Sequence, residues 1–103
     1  MDINSIREPM FLRVTFTRDE SNRLPLGALI ELERFLTPGG GKVVTRNRLQ
    51  NNYIDVFPNN PVQLLGALDI LARFAPSRGG TVVSVCMYEL TEKIYNRVFG
   101  GKR

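Results

Sequence analysis

Leu26-Gly27-Ala28-Leu29 and Leu65-Gly66-Ala67-Leu68 are one tetrapeptide written twice, 39 residues apart in a chain of 103. The match runs on without a gap. It takes in Leu32/Leu71, Arg34/Arg73 and Phe35/Phe74, then Gly40-Gly41 against Gly79-Gly80, and Val43-Val44 against Val82-Val83. Over the 19 positions from Leu26 to Val44 there are 11 identities, where unrelated text gives about one. Upstream, after a gap for a longer first loop, Phe11-Leu12-Arg13-Val14 aligns with Tyr53-Ile54-Asp55-Val56. Self-similarity at this period marks one supersecondary unit used twice.

The unit reads as strand, helix, strand. Met10 to Thr17 alternates apolar with mixed residues, as a half-buried strand does. A helix follows over about Leu24–Leu36, with Asn22 available as its cap and Pro25 in its first turn. Pro38 and Gly39-Gly40-Gly41 stop it. Lys42–Leu49 and Tyr53–Phe57 read as the second and third strands. Asn60 and Pro61 open a second helix that ends at Pro76, and Thr81–Glu89 reads as the fourth strand. Thr91 then caps a short amphipathic helix, Glu92 to about Phe99. The expected organisation is a single domain over 1–103, with repeat 1 at about 10–49, repeat 2 at about 53–89, and a C-terminal helix and basic tail at 91–103.

Two β-α-β units in tandem give β-α-β-β-α-β. Right-handed crossovers place both helices on one face of a four-stranded antiparallel sheet. This predicts an α+β, ferredoxin-like fold from a tandem duplication, with one sheet face open. Period-two alternation sends Leu12, Val14, Phe16, Ile54 and Val56 toward the helices. It sends Val83, Val85 and Met87 the same way, and repeat symmetry adds Val44. Phe11, Arg13, Tyr53, Asp55, Phe57 and Tyr88 then occupy the outer face. So many aromatic rings on an outer face call for a cover: stacked bases, a second copy of the chain, or the C-terminal helix with Ile94, Tyr95, Val98 and Phe99.

Composition narrows the class. The chain is 43% hydrophobic and 23% charged, ordinary for a globular protein. No apolar run reaches the roughly 20 residues of a membrane helix, and the first residues lack the basic start and apolar stretch of a signal peptide. The lone cysteine, Cys86, has no internal partner, so a reducing, cytoplasmic setting is expected. Net charge is +4, and arginine outnumbers lysine, favouring bidentate contacts to phosphate or carboxylate.

The rings Phe11, Tyr53 and Phe57, interleaved with Arg13, resemble in layout the RNA-recognition motif, whose strands stack bases on such rings. The resemblance implies RNA or single-stranded DNA as partner. It is confined to architecture, for the family's Lys/Arg-Gly-Phe/Tyr-Gly/Ala-Phe-Val signature is absent: the third strand reads Asn52-Tyr53-Ile54-Asp55-Val56-Phe57. From Arg34 to Ile54 there is no acidic residue, and Lys42, Arg46 and Arg48 sit among neutral amides, as a phosphate-contacting strip requires. A solvated strand edge protected by positive charge explains the same run. The candidate nucleic-acid site is therefore Phe11, Arg13, Lys42, Arg46, Arg48, Tyr53, Phe57 and Arg78. The expected protein is a non-enzymatic homo-oligomer that contacts nucleic acid; the alternative is a homo-oligomeric protein-interaction or assembly module whose open sheet face is a subunit interface.

Catalysis finds little footing. There is no histidine, which removes the usual base near neutral pH and the usual metal ligand. Gly39-Gly40-Gly41-Lys42 follows a helix instead of opening one, so it reads as a turn and not a phosphate loop. No cofactor or metal is expected.

Overall fold

The computed structural model describes residues 10–17, 26–45 and 52–100. Its elements are β1 (Met10–Phe16), α1 (Leu26–Leu36), β2 (Lys42–Val44), β3 (Tyr53–Phe57), α2 (Pro61–Arg73), β4 (Val82–Glu89) and α3 (Glu92–Phe99). The strands form one antiparallel sheet in the order β2-β3-β1-β4. The fold is α+β, with three α-helices among the described residues.

Local chemistry sets the boundaries. The Asn60 side chain accepts the Gln63 N–H at 2.8 Å and Pro61 fills the first helical position, so α2 starts where its orphan donors are best satisfied. Thr91 does the same for α3, accepting from the Ile94 N–H at 3.3 Å. Each of the first two helices runs into a tight 3-10 turn closed by a left-handed glycine, Gly40 (φ 90°) and Gly79 (φ 78°). These are equivalent positions of the repeat, and a side chain would strain both. The paired glycine runs thus act as turns.

One core lies between the sheet and the first two helices. Leu12, Val14, Phe16, Ile54, Val56 and Val82 meet Ala28, Leu29, Leu32 and Leu36 of α1 and Leu64, Ala67, Ile70 and Leu71 of α2. The helices approach through the repeated Leu-Gly-Ala-Leu text. Phe74 lies in contact with Gly27, and Phe35 presses on Gly66, where an added Cβ would overlap its ring. At one end of this layer sits Gln63, the buried polar side chain among the described residues. Its Nε2 donates to the Leu36 carbonyl at 3.1 Å and its Oε1 accepts the Asn59 N–H at 2.8 Å. It ties the end of α1 to the start of α2.

Two expectations are corrected here. Val43, not Val44, packs on the α1/α2 core, while Val44 faces the opposite side. Val82 is buried in that core and Val83 is half exposed. The cause lies in the register of β4: Thr15 faces Ser84 but Phe16 faces Val82, so Val83 is an extra residue. A bulge shifts side-chain facing by one position. Repeat symmetry survives, since Val43 and Val82 are equivalent, but its direction is reversed. Of the second strand only Lys42–Val44 forms β2; the expected continuation over 46–49 lies outside the described residues, as do Asn22, Pro25 and the tail 101–103.

Candidate interaction site

On the other sheet face α3 covers part of the aromatic row. Phe11 and Phe57 are 6% and 2% exposed and form a second core with Leu90 and Val98, joined by Val44, Ile94 and Phe99. The Phe11 and Phe57 rings stack at 5.1 Å, Phe11 stacks on Tyr88 at 5.5 Å, and Phe99 meets Phe57 edge-on at 6.0 Å. These geometries are those of packed aromatic pairs. Phe11 and Phe57 face outward as the alternation requires, but with α3 docked neither offers a face to a nucleobase. Of the expected platforms, Tyr53 stays partly exposed.

The cations of the candidate site are engaged or dispersed. Arg13 donates through Nε and Nη2 to the two carboxylate oxygens of Asp55, at 2.8 and 3.0 Å. Its guanidinium lies 4.4 Å from the Tyr53 ring centroid and 5.9 Å from that of Tyr88. The Asp55 hydrogen bond holds the Arg13 pKa above its ordinary value. Lys42 Nζ donates to the Val98 carbonyl at 2.9 Å, satisfying an acceptor in the last turn of α3. Arg78 sits in the turn before Val82, whose partner Phe16 ends β1, whereas Lys42 lies opposite Phe57 at the other end of the sheet. Arg46 and Arg48 lie outside the described residues. Beside the Arg13–Asp55 pair is a cavity of about 120 Å³, walled also by Val44, Ile94 and Arg97.

The feature that reading along the chain missed is the edge formed by β4. The two sheet edges are unlike. β2 contributes three residues and carries Lys42, and short, charged edges resist pairing with other strands. β4 contributes eight, and its first seven, Val82-Val83-Ser84-Val85-Cys86-Met87-Tyr88, include no charge and no proline. From Val83 to Glu89 every residue is exposed. Val83, Val85 and Met87 are apolar and 50%, 37% and 36% exposed. Between β4 and α2 runs an open groove of about 380 Å³, lined by Leu68, Leu71, Ala72, Ala75, Val83 and Val85.

The direction of the peptide groups follows from two hydrogen bonds. The Phe16 N–H donates to the Asn52 carbonyl, toward β3, and the Thr17 N–H to the Thr81 carbonyl, toward β4, both at 2.8 Å. Peptide groups alternate sides along a strand. Thr15, Arg13 and Phe11 therefore turn theirs toward β4, and their register partners Ser84, Cys86 and Tyr88 turn back toward β1. The N–H and C=O groups of Val85, Met87 and Glu89 point away from the sheet. Among the described residues no strand pairs with them.

Comparison with protein-family models, with curated proteins and with solved structures finds no match. Function must be argued from this surface. Among the described residues no group of three or more His, Cys, Asp or Glu side chains is placed to hold a metal ion, and no helix is long and apolar enough to cross a membrane.

Proposed function

We propose that the chain is a non-enzymatic protein-interaction module that works by strand addition at β4. The observation that carries this reading is the edge itself: eight residues long, uncharged up to Glu89, with outward peptide groups beside an apolar groove. An added strand gains main-chain hydrogen bonds from such an edge, and alternate side chains find the groove. Natural sheets blunt an edge of this kind unless it is used.

We read the sheet, taken from the β4 edge as β4-β1-β3-β2, as ferredoxin-like and as the product of a tandem duplication. The support is the repeated text, the equivalent turn glycines Gly40 and Gly79, and the equivalent inward valines Val43 and Val82. The nucleic-acid reading draws less support. Its rings Phe11 and Phe57 lie beneath α3, its Arg13 is held by Asp55, and its Lys42 binds the end of α3.

The test uses a synthetic peptide of residues 81–90 as the added strand. Amide hydrogen exchange is followed at Val85 and Met87, with and without excess peptide. Slowed exchange at these two amides in at least one condition is expected. Free exchange in both, with Cys86 and Tyr88 protected, would sink strand addition.

A further inference from the structure

We infer that the strand added to β4 is β4 of a second copy of this chain, antiparallel, about a twofold axis through Cys86. The inference rests on the strand-addition reading and names its partner. Val85 and Met87, two of the residues whose peptide groups face outward, flank Cys86. A twofold there sets Val85 opposite Met87 of the second copy, and Met87 opposite its Val85, each as a hydrogen-bonded pair. Val83 and Glu89 are brought opposite one another at the ends. Cys86 meets Cys86 as a non-hydrogen-bonded pair, the closer of the two antiparallel geometries at about 4.5 Å between Cα atoms.

The side chains agree with this register. Cross-strand partners share a face, so Val85 and Met87 of both copies come together on the groove side. Met87 of each copy then lies across from Val85, at the mouth of the other copy's 380 Å³ groove. An unbranched thioether is well suited to filling an irregular apolar cleft. A twofold interface makes every contact twice, so both grooves are closed by one pairing. An isolated peptide would bring no groove of its own.

Charge at the edge does not oppose this partner. The chain carries a net +4, yet the edge from Val82 to Tyr88 has no charge to attract a nucleic acid or an acidic segment. In the twofold register no two like charges fall opposite one another. Pairing also terminates itself. It consumes both β4 edges and a twofold pairing closes on itself, so the product is a dimer and not a fibre; among the described residues the outer edges are then the three-residue, lysine-bearing β2 strands.

The experiment combines mass and proximity. Light scattering at about 100 µM chain should give twice the chain mass, with dissociation on dilution by mass action. Diamide oxidation should join the chains through Cys86, the two thiols giving two protons and two electrons to the diamide. A Cys86 pair at that separation is within disulfide reach. Cys86→Ser should keep the dimer and lose the cross-link. Val85→Pro should lower dimer affinity at least tenfold, and Val85→Lys serves if the proline variant fails to fold. A dimer that does not cross-link through Cys86, a larger assembly, or a monomer at this concentration would each overturn the inference. A monomer whose Val85 and Met87 amides slow only when the 81–90 peptide is added refutes the second copy and leaves strand addition standing. A monomer that ignores the peptide refutes both.

Discussion

Replacing Phe57 by alanine decides whether the outer sheet face is a core or a surface. The ring is 2% exposed, stacked on Phe11 and capped edge-on by Phe99. Returning it to water costs about 2 kcal/mol in transfer free energy. A void of roughly 90 Å³ left unfilled would add about 2 kcal/mol at 24 cal/mol per Å³. The void would open into the neighbouring cavity of about 120 Å³, which Phe57 itself lines, so water and side chains can relax into it. The expected loss is therefore about 3 kcal/mol, near the lower end for buried Phe→Ala changes. A chain of this size has about 5–15 kcal/mol in hand, so the variant should fold but melt at least about 10 °C lower. Urea unfolding followed by circular dichroism, with the slope unchanged, measures the difference. Phe57→Leu should lose no more than about 1.5 kcal/mol. A loss below about 1 kcal/mol for Phe57→Ala would refute the argument, because an exposed ring costs little to remove. Phe11 and Phe57 would then be open to stack on a ligand.

Other substitutions test the rest of the scaffold. Gln63→Leu keeps the volume but strands the Asn59 N–H and leaves the Leu36 carbonyl with the Gly41 N–H alone; it should cost about 1–2 kcal/mol in the same urea assay, and a neutral result would mean water replaces the side chain. Val85→Pro and Cys86→Pro form a directional pair. The first removes an outward N–H and should cost at most about 1–2 kcal/mol, whereas the second removes one directed at β1 and should cost about 3 kcal/mol or more. Equal losses would show that the peptide directions are assigned wrongly.

How far the sequence could be read follows from which forces are local. The caps at Asn60 and Thr91, the turn glycines and the inward set Leu12, Val14, Ile54 and Val56 depend on neighbours in the chain, and all were legible. The facing of Val43 against Val44, and of Val82 against Val83, was not. Each pair holds two identical side chains, and the bulge opposite Thr15 and Phe16 is set by the partner strand. The cover over Phe11 and Phe57 was legible only as one of three alternatives, because a short amphipathic helix can dock on its own sheet or elsewhere. Gln63 left no signal, since a glutamine on a helix is ordinarily solvated. The β4 edge lay in plain view as seven uncharged residues. A buried central strand has the same text, and only the strand order makes it an edge.

The strand order also accounts for where the two copies of the repeated text differ. In the repeat alignment Arg13 corresponds to Asp55, Leu12 to Ile54 and Val14 to Val56. In the sheet Arg13 faces Asp55, Leu12 faces Val56 and Val14 faces Ile54. Exchanging the two repeats maps this register onto itself, with Arg13 and Asp55 at its centre. A residue at that position must face its own counterpart, so two arginines or two aspartates there would repel across the strand pair. Unlike charges turn the same geometry into a bidentate bridge. The flanking apolar positions carry no such conflict and are alike. The outermost strands, β2 and β4, do not pair with one another, so no such constraint links their residues. β2 spans three residues and carries Lys42, β4 spans eight and is uncharged as far as Tyr88, and the two edges of the sheet therefore differ in length and charge.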